Sequence, residues 1–81
     1  MEKRDVVFDV VAERWGRGNF RPFTAGEVAR EAKISVNTAK KYLRWIAEQP
    51  EPMIYAGEHS LSNGIVAQVF AFSEGWIARW K

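Results

Sequence analysis

Thr24-Ala25-Gly26-Glu27-Val28-Ala29-Arg30-Glu31-Ala32-Lys33-Ile34-Ser35-Val36-Asn37-Thr38-Ala39-Lys40-Lys41-Tyr42-Leu43 reads as a helix, a tight turn and a second helix. Thr24 stands where a hydroxyl caps a helix, and Glu27, three residues on, completes a capping box. Val28, Ala29 and Ala32 then recur at helical spacing on one face. Ala29 is small where two helices must cross closely, and Ile34 follows the break, placed to plug the corner between them. Ser35 is positioned to cap the second helix by accepting a backbone N–H. Ala39, Leu43 and Ile46 follow as an apolar stripe, and the opposite face carries Asn37, Lys40, Lys41 and Arg44. A short helix presenting amide and cationic groups suits the DNA major groove in size and chemistry.

These residues resemble the helix-turn-helix of bacterial and archaeal transcription regulators. That pattern wants a small residue in the first helix, met by Ala29, and an aliphatic residue followed by Ser after the turn, met by Ile34 and Ser35. Thr38 and Ala39 match the next positions, and Ser35 to Leu43 is the most specific part of the likeness. Lys33 departs from the pattern, which prefers Gly in the turn. A non-Gly residue in a left-handed conformation there costs about 1 kcal/mol.

On either side of the motif the order of elements continues the resemblance, now to a winged helix-turn-helix. Arg4 to about Trp15 carries Val6, Val7, Val10, Val11 and Trp15 in an amphipathic helical pattern, stopped by Gly16-Arg17-Gly18-Asn19. Phe20-Arg21-Pro22-Phe23 is a short extended link, which in a winged helix often forms the first small strand. Pro50-Glu51-Pro52 ends the second helix of the motif near Gln49. Met53 to Ala56 and Ile65 to Phe72 then read as strands of a β-hairpin, with Gly57 to Gly64 as a long tip containing the turn signal Asn63-Gly64. Ser73 to Lys81 reads as a short helix capped by Ser73, with Trp76, Ile77 and Trp80 on one side. The expected fold is therefore α+β: a three-helix bundle, a β-hairpin wing and a short C-terminal helix, in a single domain over residues 1–81. Within it the helix-turn-helix takes about 24–49, the wing about 53–72 and the tail 73–81.

Composition narrows the function classes. Eighty-one residues hold one small core, and 47% hydrophobic residues with 14% aromatics argue against disorder. No cysteine is present, which excludes disulfides and thiolate metal sites and fits a reducing cytoplasm. The resemblance to prokaryotic regulators implies a prokaryotic cytoplasm, nucleoid included, or a host's cytoplasm for a viral chain. No apolar run approaches the roughly 20 residues of a membrane span, and Met1 to Asp5 leads into an amphipathic helix and not a signal peptide. The net charge of +2 is modest, but from Ala32 to Ala47 there are four cationic residues and no acidic one. The single His59 and the absence of cysteine leave no metal site, and no small-molecule cofactor is expected. No carboxylate pair sits beside a nucleophile or a Gly-rich phosphate loop, so an enzyme reading has no positive support.

The resemblance implies a function and the residues that carry it. The second helix of the motif enters the major groove of double-stranded DNA. Val36, Asn37, Lys40 and Lys41 then face bases, with Asn37 suited to adenine, the lysines to guanine and Val36 to a thymine methyl. Thr24, Ser35, Thr38 and Arg44 fall to phosphates. The wing has no Lys or Arg and carries Glu58, so it donates neutral hydrogen bonds at most. Trp15 and Trp45 are assigned to the core. Trp76 and Trp80 either fold back over the first helix or pair with a second copy, and the expectation is a homodimer built from the first helix and Trp76, Ile77 and Trp80. The expected protein is a dimeric, sequence-specific transcriptional regulator, most simply a repressor acting by occlusion. The alternative is a winged-helix protein-interaction module within a larger assembly.

Overall fold

The computed structural model describes residues 2–80. Their order is α1 (Lys3–Gly16), α2 (Ala25–Ala32), α3 (Val36–Ala47), β1 (Ile54–Ser60), β2 (Val66–Phe72) and α4 (Glu74–Ala78). The architecture is α+β, with three helices packed together, an antiparallel hairpin against them and a short helix closing one end.

Val7 and Val11 of α1, Val28 and Ala29 of α2, and Ala39, Leu43 and Ile46 of α3 meet in one core. Phe23, Met53, Ile54, Phe70 and Phe72 close it from the hairpin side. The α1 and α3 stripes have the three- and four-residue spacing of a buried face, and in α2 buried Ala25 precedes Val28 by three residues and Ala29 by four. α1 ends in a Schellman motif. Gly18 takes φ +71°, Gly18 N–H donates to the Trp15 carbonyl, and Asn19 N–H donates to Arg14.

The turn between α2 and α3 forms as its residues dictate. The Thr24 hydroxyl accepts from Glu27 N–H while the Glu27 carboxylate accepts from Thr24 N–H, so the capping box is complete. Lys33 adopts φ 59°, ψ 46°, the left-handed conformation the missing glycine would have taken at no steric cost. Ile34 N–H closes the corner onto the Ala29 carbonyl, and Ser35 caps α3 by accepting from Thr38 N–H.

The hairpin is longer and its tip shorter than the sequence predicts. Gly57 to Ser60, read as part of the tip, are strand residues paired with Val66 to Val69. Residues of weak strand propensity are carried by the register that Ile54↔Phe72 sets in the core and by the β-branched Val69 and Val66 opposite Gly57 and Ser60. The tip is the three-residue loop Ser62-Asn63-Gly64. Gly64 N–H donates to Leu61, Leu61 N–H donates to Ile65, and Gly64 takes φ +83°. Phe23 makes a single bridge to Phe70 on the outer side of β2, where the extended link was expected to contribute a small strand.

The C-terminal tail folds back over the end of α1. Trp76 and Ile77 pack, half-buried, against the core of their own chain. The Trp80 indole donates to the Gly16 carbonyl and meets Phe20 edge to face. Ser73 occupies the N-cap position of α4, but its hydroxyl does not cap; it donates to the Pro52 carbonyl at 2.8 Å and pins the tail to the start of β1. Trp45 also departs from expectation. It is not in the core but 42% exposed, with the Arg4 guanidinium 5.2 Å from its ring centroid. Ile46, one residue on, holds the inward position, which turns Trp45 about 100° away.

Candidate nucleic-acid interface

Capping at both ends of the α2–α3 turn fixes the start of α3 and therefore the direction in which its outer face looks. Val36, Asn37, Lys40, Lys41 and Arg44 form one stripe on that face, opposite buried Ala39, Leu43 and Ile46. Val36, Asn37, Lys41 and Arg44 are exposed and Lys40 is half-buried. Among the described residues, Asn37, Lys40 and Arg44 have no protein hydrogen-bond or ion-pair partner, and the Lys41 ammonium lies 5.4 Å from the Tyr42 ring centroid. The stripe is therefore cationic, solvated and free to meet an external acceptor.

The two acids of α2 are engaged within the protein. Glu27 is held by the α2 cap. Glu31 takes a 3.0 Å ion pair from Arg14 of α1, whose guanidinium also lies over the Phe23 ring at 5.1 Å. Sequence reasoning missed this pair. Its two residues are 17 apart on different helices, and only their packing brings them together. The pair moves the Glu31 charge towards α1; Glu48, four residues beyond Arg44 at the end of α3, stays exposed as the acidic neighbour of the stripe.

The hydroxyls divide differently from the expectation. Ser35 Oγ accepts from Thr38 N–H and donates to Thr38 Oγ1 at 2.7 Å, so its proton is already placed. Thr38 Oγ1 accepts that bond and keeps its own proton to give. Thr24 Oγ1 likewise accepts within the cap and retains a proton. The N–H groups of Val36 and Asn37, in the first turn of a 12-residue helix, have no acceptor among the described residues. A phosphate arriving here therefore meets Thr38 and two main-chain donors. Ser35 acts as their positioning group.

The hairpin contributes no positive charge. From Met53 to Phe72 its only ionisable side chains are Tyr55, Glu58 and His59, all exposed. No group of His, Cys, Asp or Glu among the described residues could hold a metal ion, and no described helix is long and apolar enough to cross a membrane. No protein-family model matches this chain, and neither a curated protein nor a solved structure does.

Proposed function

We propose that this chain is a winged helix-turn-helix regulator that binds double-stranded DNA in a sequence-specific manner, with α3 in the major groove. The observation carrying this reading is the α3 stripe: amide and cationic side chains free of protein partners on a helix whose start Ser35 caps, with Glu31 of the preceding helix drawn away by Arg14. Asn37 reads adenine through its two-way amide, Lys40 and Lys41 read guanine, and Val36 meets a thymine methyl. Thr24, Thr38, Arg44 and the first N–H groups of α3 hold phosphates, with Ser35 fixing Thr38. The hairpin is the wing, and its lack of cations keeps it off the backbone or in weak neutral contact. The protein works as a homodimer on two half-sites about one helical turn apart, and occlusion of a promoter makes it a repressor.

Selection from a random duplex pool tests this. The expected result is enrichment of a discrete motif that the Lys40→Ala/Lys41→Ala variant loses. Affinity should fall steeply with salt, with a logarithmic slope of about −0.9 per phosphate contacted. No enrichment, with equal and salt-insensitive binding by both proteins, would overturn it. One observation favours the second reading, a protein-interaction module: the hairpin leaves Tyr55, Leu61, Ile65 and Val66 exposed without a cation among them.

A further inference from the structure

We infer that Lys33, in the turn between α2 and α3, is a further contact to the DNA backbone, its ammonium binding a phosphate beside the one held at the start of α3. The inference deepens the proposed function and rests on it.

Among the described residues, Lys33 is the only one besides glycines with a positive φ. Two bonds hold it there, since its own N–H and that of Ile34 both donate to the Ala29 carbonyl. Glycine takes this conformation at no steric cost, and asparagine tolerates it. A strained residue fixed by its surroundings points to a use for its side chain. Here the strain is borne by a long, flexible cation.

That cation has little to do inside the protein. Lys33 is exposed, and among the described residues it meets neither a carboxylate nor an aromatic ring. A positive charge at the C-terminus of α2 does favour the helix dipole. Arg30 already places one in the last turn of that helix.

The charge around the turn suits an anion from outside. From Phe20 to Ala47 the acids are Glu27 and Glu31, one held in the α2 cap and the other paired with Arg14. Over the same stretch Arg21, Arg30, Lys33, Lys40, Lys41 and Arg44 have no ion-pair partner among the described residues.

Position selects phosphate over base. Ser35 caps α3 two residues after Lys33, so at most about 7 Å of main chain separates the two. The start of α3 offers a phosphate the Thr38 hydroxyl and the N–H groups of Val36 and Asn37. In helix-turn-helix docking the first helix crosses the backbone and the second enters the groove. The turn joining them then lies at the groove edge, where phosphates run. A point charge on a flexible stem fits that acceptor without demanding one geometry.

Titrations of the full chain on preferred and altered duplexes at several salt concentrations test this, with Lys33→Gly, Lys33→Asn and Lys33→Arg alongside. Glycine and asparagine remove the charge in a conformation both tolerate, so should one variant fail to fold, the other gives the answer. Each should weaken binding about fivefold near 0.1 M salt on every sequence and lower the salt slope by about 1. Lys33→Arg keeps the charge and should keep the wild-type slope. The inference is overturned if the glycine and asparagine variants retain the wild-type slope, whatever happens to their stability, since the lysine then serves only the α2 dipole. A loss confined to one sequence also overturns it, as does an arginine variant that loses as much as the neutral ones. Failure of the regulator reading is told apart from all of these, because it shows as a wild type that binds no duplex in a salt-dependent way.

Discussion

The indole N–H of Trp15 donates to the main-chain carbonyl of Trp76 at 2.8 Å, across 61 positions of sequence. The two rings meet edge to face, 5.9 Å apart at 84°. One side chain near the end of α1 thus holds the C-terminal tail by a polar and an apolar contact. Trp76 returns the arrangement by donating to the Glu51 carbonyl, ahead of β1. The tail is therefore a clasp between the helical layer and the root of the hairpin.

Trp15→Phe should remove the donor and keep a ring, lowering stability by about 1 kcal/mol. Trp15→Ala should cost about 3 kcal/mol, since the ring contact and its packing also go. Urea denaturation gives both values. Equal losses for the two variants would mean that ring packing contributes little.

Gly18→Ala should destabilise on two counts. The left-handed φ of +71° disfavours a side chain by about 1 kcal/mol, and the added methyl would come within 2.8 Å of the Trp80 ring. Trp80→Ala removes the second cause and leaves the first. The double variant should therefore lose less than the sum of the single losses. Strict additivity in thermal unfolding would show that the ring simply moves aside.

Lys33→Gly should stabilise the protein by about 0.5 kcal/mol, the relief of left-handed strain exceeding the entropy glycine adds to the unfolded chain. Lys33→Ala keeps the strain and should bring no gain. A melting temperature unchanged in the glycine variant would mean the turn relaxes around lysine without strain.

The features legible in the sequence are those decided by near neighbours. Thr24 with Glu27 and Ser35 with Thr38 are contacts between residues three apart, so the helix starts could be read from the order of residues alone. The Gly18 stop and the Lys33 departure are local in the same sense. Features decided at a distance were not legible. Ser73 has a cap's sequence context, but a carbonyl at Pro52, 21 positions away, takes its hydroxyl instead. Gly57 to Ser60 look like a loop until Val66 to Val69 are laid beside them. Trp45 was misplaced by a helical phase that Ile46 decides. At the candidate site the cationic stripe was readable from spacing. The neutralisation of Glu31 by Arg14 required two helices to meet.

Ser35→Ala separates the local role of this hydroxyl from a direct one. Losing the cap should cost about 1 kcal/mol of stability. If Ser35 acts on DNA only through Thr38, then Thr38→Val should weaken DNA binding at least as much as Ser35→Ala does. Unfolding curves and binding isotherms on the same preparations give the comparison. Weaker binding by the Ser35 variant than by the Thr38 variant would return a phosphate contact to Ser35 itself.

Asn37 and Arg44 lie on the same stripe of α3, seven residues apart, and the proposed docking gives them different duties. Asn37, in the first turn, stands where side chains reach base edges; Arg44, two turns on, stands over the backbone. Asn37→Ala should lose about 1 to 3 kcal/mol on the preferred sequence and much less on sequences altered at one position, because an adenine contact is all it removes. Arg44→Ala should weaken binding to every sequence by a similar factor and lower the salt slope by about 1, because it removes a phosphate contact. Titrations of both variants on matched and altered duplexes at several salt concentrations distinguish the two signatures. The assignment fails if Asn37→Ala weakens all sequences alike with a reduced salt slope, which would place the amide on the backbone and leave sequence reading to Lys40 and Lys41.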